Sequence, residues 1–594
     1  MNPWAIDGLV VLAYFVVIVS IGLYKGRGEK SMEGFAIGDR NIPWWAVLAS
    51  IMAAEVSAAT FLGAPDEGFE KHNFTYVQLT IGTILARIIV AYLFIRRYYD
   101  LRVVSIYEFL ETRFGRSTKL ASSATFLVTR ALASGSRMFA PAAMLVMAWV
   151  LIKGFHPDHA QTLWLYVGAV GTLTMFTAIY TAFGGIKAVV WTDLLQVILM
   201  YGAMIYAIVF LLQAVGGWQE VKRALVTAPL NEDTVAARLK EDAAENAAQN
   251  ISGDAALGKA RAEARASTGG PLDFWNTGIV AGEGFWKNVK NVLGNEYTIF
   301  SALLASIFVT MATHGTDQDM VQRMLTAKDV RRSRRSLILS GVADLPVAFS
   351  FTFIGVLLWA YYHLPAHTAQ RPDDGYFTHF ILEELAPGVR GVMAAGLFAT
   401  AMGSLSTALN ALATSFTRDF YLGILRPAAS QREQMSAARW STVFFAVLLS
   451  AIGVGTAWVM FANPGARIIP LVLGSFGYTY GSLLGIFLVG ITTRSRGSAA
   501  GNIVAMLAGF IVVAVLTDLP NGIAAMFGGH LYSAPGWLPR IAFPWRITFG
   551  TVATFLVAML FPTPASQVAE AAARLAQARK TGDAGGGATG VSQC

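Results

Sequence analysis

Several ionisable side chains lie inside long apolar stretches, where an uncompensated charge is costly and therefore indicates a function. The first, Glu55, lies near the centre of the apolar run 44–66, with Gly63 and Pro65 behind it. These two residues predict that the helix frays or breaks just beyond Glu55. A carboxylate beside such a break can bind a cation directly or through water. Alternatively, it is protonated or hydrogen-bonded to a neighbouring helix.

Arg137 is the second such residue, midway along the run 120–150. Its guanidinium can bind a carboxylate through two parallel hydrogen bonds. Two interpretations stay open: Arg137 binds an anionic solute, or it forms an ion pair with Glu55 or another acid. A further acid, Asp344, lies in the run 336–363 and is expected to pair with a nearby arginine.

The third residue, Asp193, lies near one end of the run 189–214, and hydroxyl side chains recur in the run 389–413. These hydroxyls belong to Thr400, Ser404, Ser406 and Thr407. The first, second and fourth are spaced four and three residues apart and share one helix face, with the third beside it. Hydroxyl, carbonyl and carboxylate oxygens suit a hard monovalent cation. The alternative is that these hydroxyls only join helices to one another.

The segments that carry these residues are predicted to be membrane-spanning helices. Of 594 residues, 55% are apolar and only 14% are charged, too few for the surface of a soluble chain of this length. A run of about 20 apolar residues spans a bilayer. About thirteen runs occur, at 4–24, 44–66, 75–95, 120–150, 163–183, 189–214, 297–316, 336–363, 389–413, 438–461, 467–490, 498–518 and 545–561.

The basic residues predict how the chain is oriented. Lys and Arg concentrate in alternate loops, which places the N-terminus outside and the C-terminus in the cytoplasm. An odd number of spans agrees with this. The first run lacks a basic flank and a small-residue cleavage site, so we expect a retained helix rather than a signal peptide. The expected location is the plasma membrane, or the inner membrane if the chain is bacterial.

Several classes of protein are disfavoured by the same composition. The net charge of +8 is explained by the cytoplasmic loops, so no nucleic-acid partner is expected. The single cysteine, Cys594, excludes a disulfide framework. The chain contains no His/Cys metal cluster, nucleophile elbow or phosphate-binding loop, so an enzyme is not expected. The low-complexity tail carries no catalytic domain, which argues against a membrane sensor, and no obligatory protein partner is implied.

Three stretches of the chain resemble the sodium:solute symporter family, which has the LeuT-type fold. They are Tyr180 to Gly185 continuing to Thr192, Asp193 and Gln196; Asp317 and Gln318 with Val321 to Arg323, Ala327 and Lys328; and Asn410 to Tyr421. Together with the pattern of apolar runs, the resemblance covers roughly residues 1–515.

The resemblance implies an all-α integral membrane protein with two inverted five-helix repeats, one extra N-terminal span and two extra C-terminal spans. The expected segments are 1–43 for the extra span, 44–215 for the first repeat, 216–296 for an external loop or cap, 297–490 for the second repeat, 491–564 for the C-terminal spans and 565–594 for a flexible cytoplasmic tail.

The resemblance also implies sodium as the coupling ion. In one site the ligands would be backbone carbonyls of Ala53 and Val56 together with Thr400, Gly403 and Ser404. The family usually has a Ser or Thr where this chain has Gly403, so one hydroxyl is missing. Some members hold a second sodium, and its ligands here would be Asp193, Ser406 and Thr407.

For the solute, the second and fourth runs are similar to the branch that carries monocarboxylates, vitamins and iodide. Thr60 stands where sugar carriers have a glutamine, which disfavours a hexose pocket, and Arg137 suits an organic anion. Glu55 stands where other branches have Asn or Asp, so it can assist either cation or solute. We therefore expect a sodium-coupled symporter that imports a small organic solute. The alternatives are a sugar or amino-acid symporter on the same scaffold and a proton-coupled carrier that uses Glu55.

Overall fold

The computed structural model describes residues 2–154, 157–226, 253–365, 375–462, 476–517 and 541–574, with a few single residues between these ranges. Within them the secondary structure is helical, apart from two isolated bridge pairs, Ile42 with Ala327 and Arg496 with Pro562. The Gly-rich end of the predicted tail, part of the predicted external loop and the start of the run 467–490 lie outside the described residues.

The described helices follow the apolar runs along the chain. In the first half they are α1 (Pro3–Lys25), α2 (Met32–Ile37), α3 (Trp44–Glu55), α4 (Ala58–Lys71), α5 (Leu79–Leu93), α6 (Ile95–Asp100), α7 (Tyr107–Phe114), α8 (Arg116–Ser136), α9 (Phe139–Lys153), α10 (His159–Val215), α11 (Trp218–Val226) and α12 (Asp254–Thr268). In the second half they are α13 (Phe285–Gly294), α14 (Ser306–Gly315), α15 (Gln318–Leu325), α16 (Val330–Tyr362), α17 (Tyr376–His379), α18 (Val389–Ser415), α19 (Gln431–Ala462), α20 (Tyr480–Thr492), α21 (Ala499–Leu516) and α22 (Phe543–Met559). Two 3-10 turns lie at Gly38–Arg40 and Thr75–Gln78, and π-helical segments lie at Ser301–Ala305, Phe380–Glu384 and Phe416–Leu425.

Eight of the described spans are long and apolar enough to cross a bilayer, and the bent pair α3 and α4 raises the number to nine. Three shorter apolar helices are Ser301–Gly315, Tyr480–Thr492 and Phe543–Met559. The membrane class expected from composition therefore agrees with the helices. By length and composition, the described residues therefore contain fewer membrane spans than the thirteen that were expected.

Helix α10 accounts for part of the difference. Its 57 residues would extend about 85 Å as one straight helix, nearly three times the hydrocarbon thickness of a bilayer. Gly185 interrupts it with φ 54° and ψ −150°. A Cβ at this position would lie 2.5 Å from the backbone oxygen of Phe35, so both the conformation and the contact require glycine. The predicted runs 163–183 and 189–214 lie on either side of this residue.

The second apolar run is broken just beyond Glu55, as expected. α3 and α4 are bent by 62° at Val56 and Ser57, whose ψ angles of 96° and 166° are extended. The prediction of a break just beyond Glu55 is therefore confirmed, but Gly63 and Pro65 are not its cause, because both lie inside α4. There, the backbone of α4 at Pro65 lies close against Gly355 of α16, and this packing supports the helix despite the hydrogen bond that proline cannot make.

Helix α18 lies at the centre of the bundle. In its most apolar stretch, 94% of the residues are buried, whereas the other spanning helices have between 28% and 56% buried. It packs against α10, α1 and α3. A buried ion pair between Arg390 and Asp7 joins its first turn to α1, with Nη2 and Oδ2 2.6 Å apart. The predicted hydroxyl face is therefore enclosed by protein rather than lipid.

The segment after α12 folds back onto the bundle. The amide of Phe74 donates to the carbonyl of Asp273, and the amide of Leu272 donates to the carbonyl of His72, both at 2.8 Å. Phe74 also stacks on Phe274, with ring centroids 4.7 Å apart. This part of the predicted external loop is therefore anchored on the end of α4 and the start of the next helix.

Candidate functional site

The break after α3 exposes backbone oxygens inside the protein. The last four carbonyls of an α-helix have no intrahelical partner. In α3 and its cap these include the carbonyls of Ala53 and Val56, and both residues are buried. Because the chain is extended at Val56 and Ser57, the carbonyls at this point are not consumed by a continuing helix.

A face of α18 lies opposite this break. Thr400, Gly403 and Ser404 are spaced at i, i+3 and i+4 and are buried. A Cβ built on Gly403 would lie 3.2 Å from the carbonyl oxygen of Ala53. The hydroxyls of Thr400 and Ser404 donate to carbonyls of their own helix, at 2.7 and 3.1 Å, which leaves their lone pairs available to accept or to coordinate. We call Ala53, Val56, Thr400, Gly403 and Ser404 the first oxygen set.

Gln196 of α10 reaches the same place. Its Oε1 lies 2.9 Å from the position that a Cβ on Gly403 would take. This oxygen is buried and accepts no hydrogen bond from the described residues. The other end of the amide donates weakly to the hydroxyl of Tyr14, at 3.4 Å.

The second predicted group, Asp193 with Ser406 and Thr407, lies around an arginine. We call these three residues the second oxygen set. Arg323 Nη2 lies 3.1 Å from Asp193 Oδ2 and also contacts the hydroxyl of Thr407. Ser50 donates to Asp193 Oδ2 at 2.5 Å and accepts from Arg323 Nε at 2.7 Å. Ser406 instead donates to a carbonyl of its own helix. The cation beside Asp193 in this conformation is therefore a side chain of the protein.

Arg323 is held from its other side by a chain of buried charges. Its Nη1 lies 2.8 Å from Asp319 Oδ1, and Asp319 also contacts Arg130. Arg130 in turn lies 3.0 Å from Asp317. The side chain of Asp317 caps the N-terminus of α15 and also contacts Tyr480. The string from Asp317 to Arg323 therefore forms a buried connection between α8, α10 and α15.

The two oxygen sets differ in whether they can accept a monovalent cation as they stand. The first set offers neutral carbonyl and hydroxyl oxygens, which suit sodium, and Gln196 adds an acceptor without a donor among the described residues. The second set includes a carboxylate whose Oδ2 is ion-paired with Arg323, whereas its Oδ1 has no hydrogen-bond partner among the described residues.

Glu55 belongs to a separate buried network. Its Oε1 contacts Arg87 Nη2 and lies 3.3 Å from His314 Nε2. Arg87 is fully buried, donates to Ser340 at 2.9 Å and lies 3.8 Å from Asp344. The expected partner of Asp344 is therefore Arg87. The possible pair between Glu55 and Arg137 does not form here, because Arg87 takes that position.

Arg137 lies at the junction of α8 and α9. Its guanidinium carbon is 5.0 Å from the centre of the Phe476 ring, and its Nε is buried without a hydrogen-bond partner. Within the described part of the chain, no carboxylate lies at ion-pair distance from it. Thr60 lies in the first turn of α4, 3.5 Å from the hydroxyl of Ser57, and α4 packs against α9.

Three important residues were missed or undervalued in the sequence. Arg87 is a cation inside an apolar run and could have been found by the criterion that singled out Glu55. Arg323 was visible as part of a motif, but its position at a helix end gave no indication that it reaches Asp193. Gln196 was also recognised only as part of a motif. A neutral amide inside an apolar run does not have the energetic cost that marks a charged residue there as functional.

Comparison with known proteins places this arrangement in context. A model of the sodium:solute symporter family matches residues 35–509. The human sodium-coupled monocarboxylate transporter 1 is 26% identical over 521 residues, which is 85% of this chain and 72% of that protein. The sodium-dependent multivitamin transporter of Oryctolagus cuniculus is 25% identical over 570 residues, which is 93% of this chain and 76% of that protein.

A solved structure shares the fold. It is a substrate-bound, outward-open Na+-coupled sialic acid symporter, with a TM-score of 0.69 and 20% identity, and the match covers 93% of this chain and 97% of that one. The expected all-helical, LeuT-type class is therefore confirmed.

Proposed function

This chain belongs to the sodium:solute symporter family, and from that premise we propose that it imports a small organic carboxylate together with sodium. The chain is a membrane-embedded, multi-pass symporter, its coupling ion is sodium, and its cargo is a small organic solute. Its family and relatives are transporters rather than enzymes. The carboxylate class and the residues that bind it are the parts that we propose.

The carboxylate proposal rests on Arg137, which has no carboxylate partner among the described residues. Arg87, Arg130 and Arg323 are buried in the bundle and paired with carboxylates. Arg137 has no such partner among the described residues, and its Nε makes no hydrogen bond. A guanidinium nitrogen that is buried without an acceptor is unfavourable, so a carboxylate brought by the solute would complete the hydrogen bonding of Arg137.

Thr60 and Glu55 are proposed to lie beside the same solute. Glu55 ends α3 and Thr60 begins α4, so both flank the break in the second apolar run. Thr60 contributes a small hydroxyl near α9, which starts two residues after Arg137. The contact between Glu55 and Arg87 gives Glu55 a structural partner, which supports a role in shaping the break rather than in carrying a proton. We therefore do not propose the proton-coupled alternative.

For sodium, we propose that the first oxygen set binds the ion in the present conformation. We propose further that Asp193, Ser406 and Thr407 receive a second ion only when Arg323 has moved away. The support is the contrast between free neutral oxygens in one set and an ion-paired carboxylate in the other. A ligand shifts a conformational equilibrium only by its difference in affinity between the states. Sodium at the first set would thus favour the state in which α3 and α18 are in contact.

We also propose the finer layout of the chain. It has thirteen spans, two inverted five-helix repeats at 44–215 and 297–490, an extra span within 1–43, an external cap at 216–296, C-terminal spans within 491–564 and a cytoplasmic tail from 565. A helix lies within each apolar run, and the interruption at Gly185 falls between the fifth and sixth runs, which supports this layout. The concentration of basic residues supports an N-terminus outside and a C-terminus in the cytoplasm.

The test is thermal stability of the purified protein against small carboxylates, neutral sugars and amino acids, each in sodium chloride and in potassium chloride. A ligand that binds the folded state raises Tm by mass action. We expect a carboxylate to raise Tm in sodium only. Arg137→Gln should lower the apparent affinity for that carboxylate about tenfold or more, because a charged hydrogen bond is lost, while stabilisation by sodium alone remains.

The matched control is Arg439→Gln, since Arg439 also lies over a phenylalanine ring, at 5.5 Å from Phe183, but at another place in the bundle. It should leave solute binding unchanged. Stabilisation by a neutral sugar or by an amino acid that persists in Arg137→Gln would contradict the carboxylate proposal and favour the alternative symporters on the same scaffold.

A further inference from the structure

A basic cavity lies where the apolar stretches of α5 and α16 end. Its volume is about 590 Å³. Four arginines line it together with Tyr92 and Ile338, and they are Arg96, Arg331, Arg334 and Arg335. None of these residues belongs to the sodium or solute sites proposed above.

Three of these arginines have no carboxylate beside them within the described part of the chain. The acid in the lining, Asp100, lies 3.9 Å from Arg96. Among the described residues, no carboxylate lies at ion-pair distance from Arg331, Arg334 or Arg335. The cavity therefore presents three positive charges without a counter-ion from the residues that the structure describes, and it suits an anion.

Aromatic rings hold two of the guanidiniums in place. The guanidinium carbon of Arg335 lies 3.9 Å from the centre of the Trp44 ring, and that of Arg334 lies 4.6 Å from the centre of the Tyr92 ring. Arg334 Nε also donates to the carbonyl of Ala91 at 2.7 Å. A guanidinium that rests on a ring keeps the N–H groups at its edge free to donate. Membrane topology requires only that these charges lie in a given loop, and it does not require that they be oriented around one cavity.

The helix faces that line the cavity continue as exposed apolar side chains. On α16, one face carries residues spaced four, three, four and three positions apart, namely Arg331, Arg335, Ile338, Val342 and Leu345. On α5, Tyr92 shares a face with Ile88 and Leu85. The last two residues of each face are exposed. Both helices thus lead from the cavity to apolar surface that the hydrocarbon chains of a lipid would cover.

We propose that this cavity binds the headgroup of an anionic phospholipid, with the phosphate held by Arg331, Arg334 and Arg335 and the acyl chains along the apolar faces of α5 and α16. Arginine suits a phosphate because its planar fork donates two parallel hydrogen bonds. A zwitterionic headgroup such as phosphocholine brings a cation that the arginines repel, so a headgroup with net negative charge binds better. The proposal requires only that the chain lies in a membrane, and it is independent of the sodium and carboxylate sites.

The experiment measures lipid binding by the purified full-length protein in a non-ionic detergent. Its Tm is recorded while dioleoyl phosphatidylglycerol or dioleoyl phosphatidylcholine is added, since a bound lipid raises Tm by mass action. We expect phosphatidylglycerol to act at the lower concentration. Arg331→Gln/Arg335→Gln should raise the phosphatidylglycerol concentration for half-maximal stabilisation about tenfold or more, because two of the attracting charges are lost. Without lipid its Tm should be nearly unchanged, since neither arginine forms an ion pair with the described residues.

The matched control is Arg426→Gln/Arg432→Gln, which removes the same charge from exposed positions that do not line the cavity. It should leave the phosphatidylglycerol midpoint unchanged. An equal shift in both double variants would overturn the proposal, because it would show a general attraction between lipid and basic surface. If Arg331→Gln/Arg335→Gln does not fold, Arg331→Gln alone decides, with an expected shift of about fivefold, and an unchanged midpoint in it would overturn the proposal.

Headgroup fragments distinguish a lipid from a free anion. Inorganic phosphate and glycerol phosphate lack acyl chains, and we expect neither to raise Tm at the concentrations at which phosphatidylglycerol does. If inorganic phosphate stabilises the unaltered protein equally well and Arg331→Gln/Arg335→Gln removes the effect, the cavity is a site for free phosphate and the lipid is overturned. If phosphatidylglycerol and phosphatidylcholine stabilise the unaltered protein to the same extent, the preference for an anionic headgroup is overturned.

Discussion

The two oxygen sets are neighbours on α18, where Ser404 of the first set lies two residues before Ser406 of the second, yet they are in opposite electrostatic states. At Gly403 and Ser404 the neighbours named above are neutral oxygens, including one from Gln196 that has no donor among the described residues. At Thr407 the neighbour is the guanidinium of Arg323, which also holds Asp193. Both sets are buried and both are rich in oxygen, so composition alone does not distinguish them.

This difference between the two sets shows that a carboxylate does not by itself make a better cation site than a group of neutral oxygens. The energy gained by a cation at Asp193 must exceed the loss of an ion pair in which Asp193 and Arg323 are fully buried. At the first set a cation displaces no internal charge. For this reason we propose that sodium binds the first oxygen set in this conformation.

The largest expected effect comes from removing the internal cation. Arg323→Gln leaves Asp193 and Asp319 buried without their common partner, and we expect it to destabilise the fold by about 3–5 kcal/mol. The measurement is the Tm of the purified protein in potassium chloride. Arg332→Gln is the control, because Arg332 is half exposed in a pair with Asp329 and should change stability by less than about 0.5 kcal/mol.

The double variant Asp193→Asn/Arg323→Gln sharpens this prediction. It removes the acid together with its partner, so it should be more stable than Arg323→Gln alone. Equal stability of the single and double variants would show that Asp193 is not the charge that Arg323 compensates, and the contrast between the two sets would fail.

A smaller effect is expected from weakening the neutral set. Ser404→Ala removes one hydroxyl oxygen, and we expect the sodium midpoint of thermal stabilisation to rise about tenfold, or about 1.4 kcal/mol. Stability in potassium should stay nearly unchanged, since the hydroxyl bonds only to its own helix. Ser450→Ala is the matched control, because Ser450 makes the same kind of bond on α19. A shift of the midpoint in the control would identify a general effect on the bundle.

The smallest effect distinguishes the two sets most directly. Asp193→Asn should change the solute-free sodium midpoint by less than about threefold, or about 0.7 kcal/mol, because Arg323 already occupies that set. In proteoliposomes, the same variant should weaken the sodium dependence of uptake more than the apparent affinity for solute, since the second set is proposed to open during the cycle. A tenfold shift in the solute-free titration would instead assign sodium to Asp193 in this conformation.

Much of this protein could be predicted because a charged side chain inside a membrane-spanning helix is energetically costly, and such residues are easily recognised in a sequence. Glu55, Arg137 and Asp193 stand out against apolar neighbours, and the spacing of Thr400, Ser404 and Thr407 identifies one face of a helix. The break just beyond Glu55 was also expected, although Gly63 and Pro65, on which that prediction rested, lie inside α4 where it packs closely on α16.

The sequence by itself determined that the chain lies in a lipid bilayer and in which order its helices follow one another. It also determined which residue types are available to bind a cation and an anion. Only the tertiary structure decided which of these residues meet. Arg323 reaches Asp193, Arg87 reaches Glu55, and Gln196 fills the space left by Gly403, although 130, 32 and 207 residues, respectively, separate the members of these pairs. The physical reason is that hydropathy and helical spacing are local, whereas the neutralisation of a buried charge depends on helices that are distant in sequence and adjacent in space.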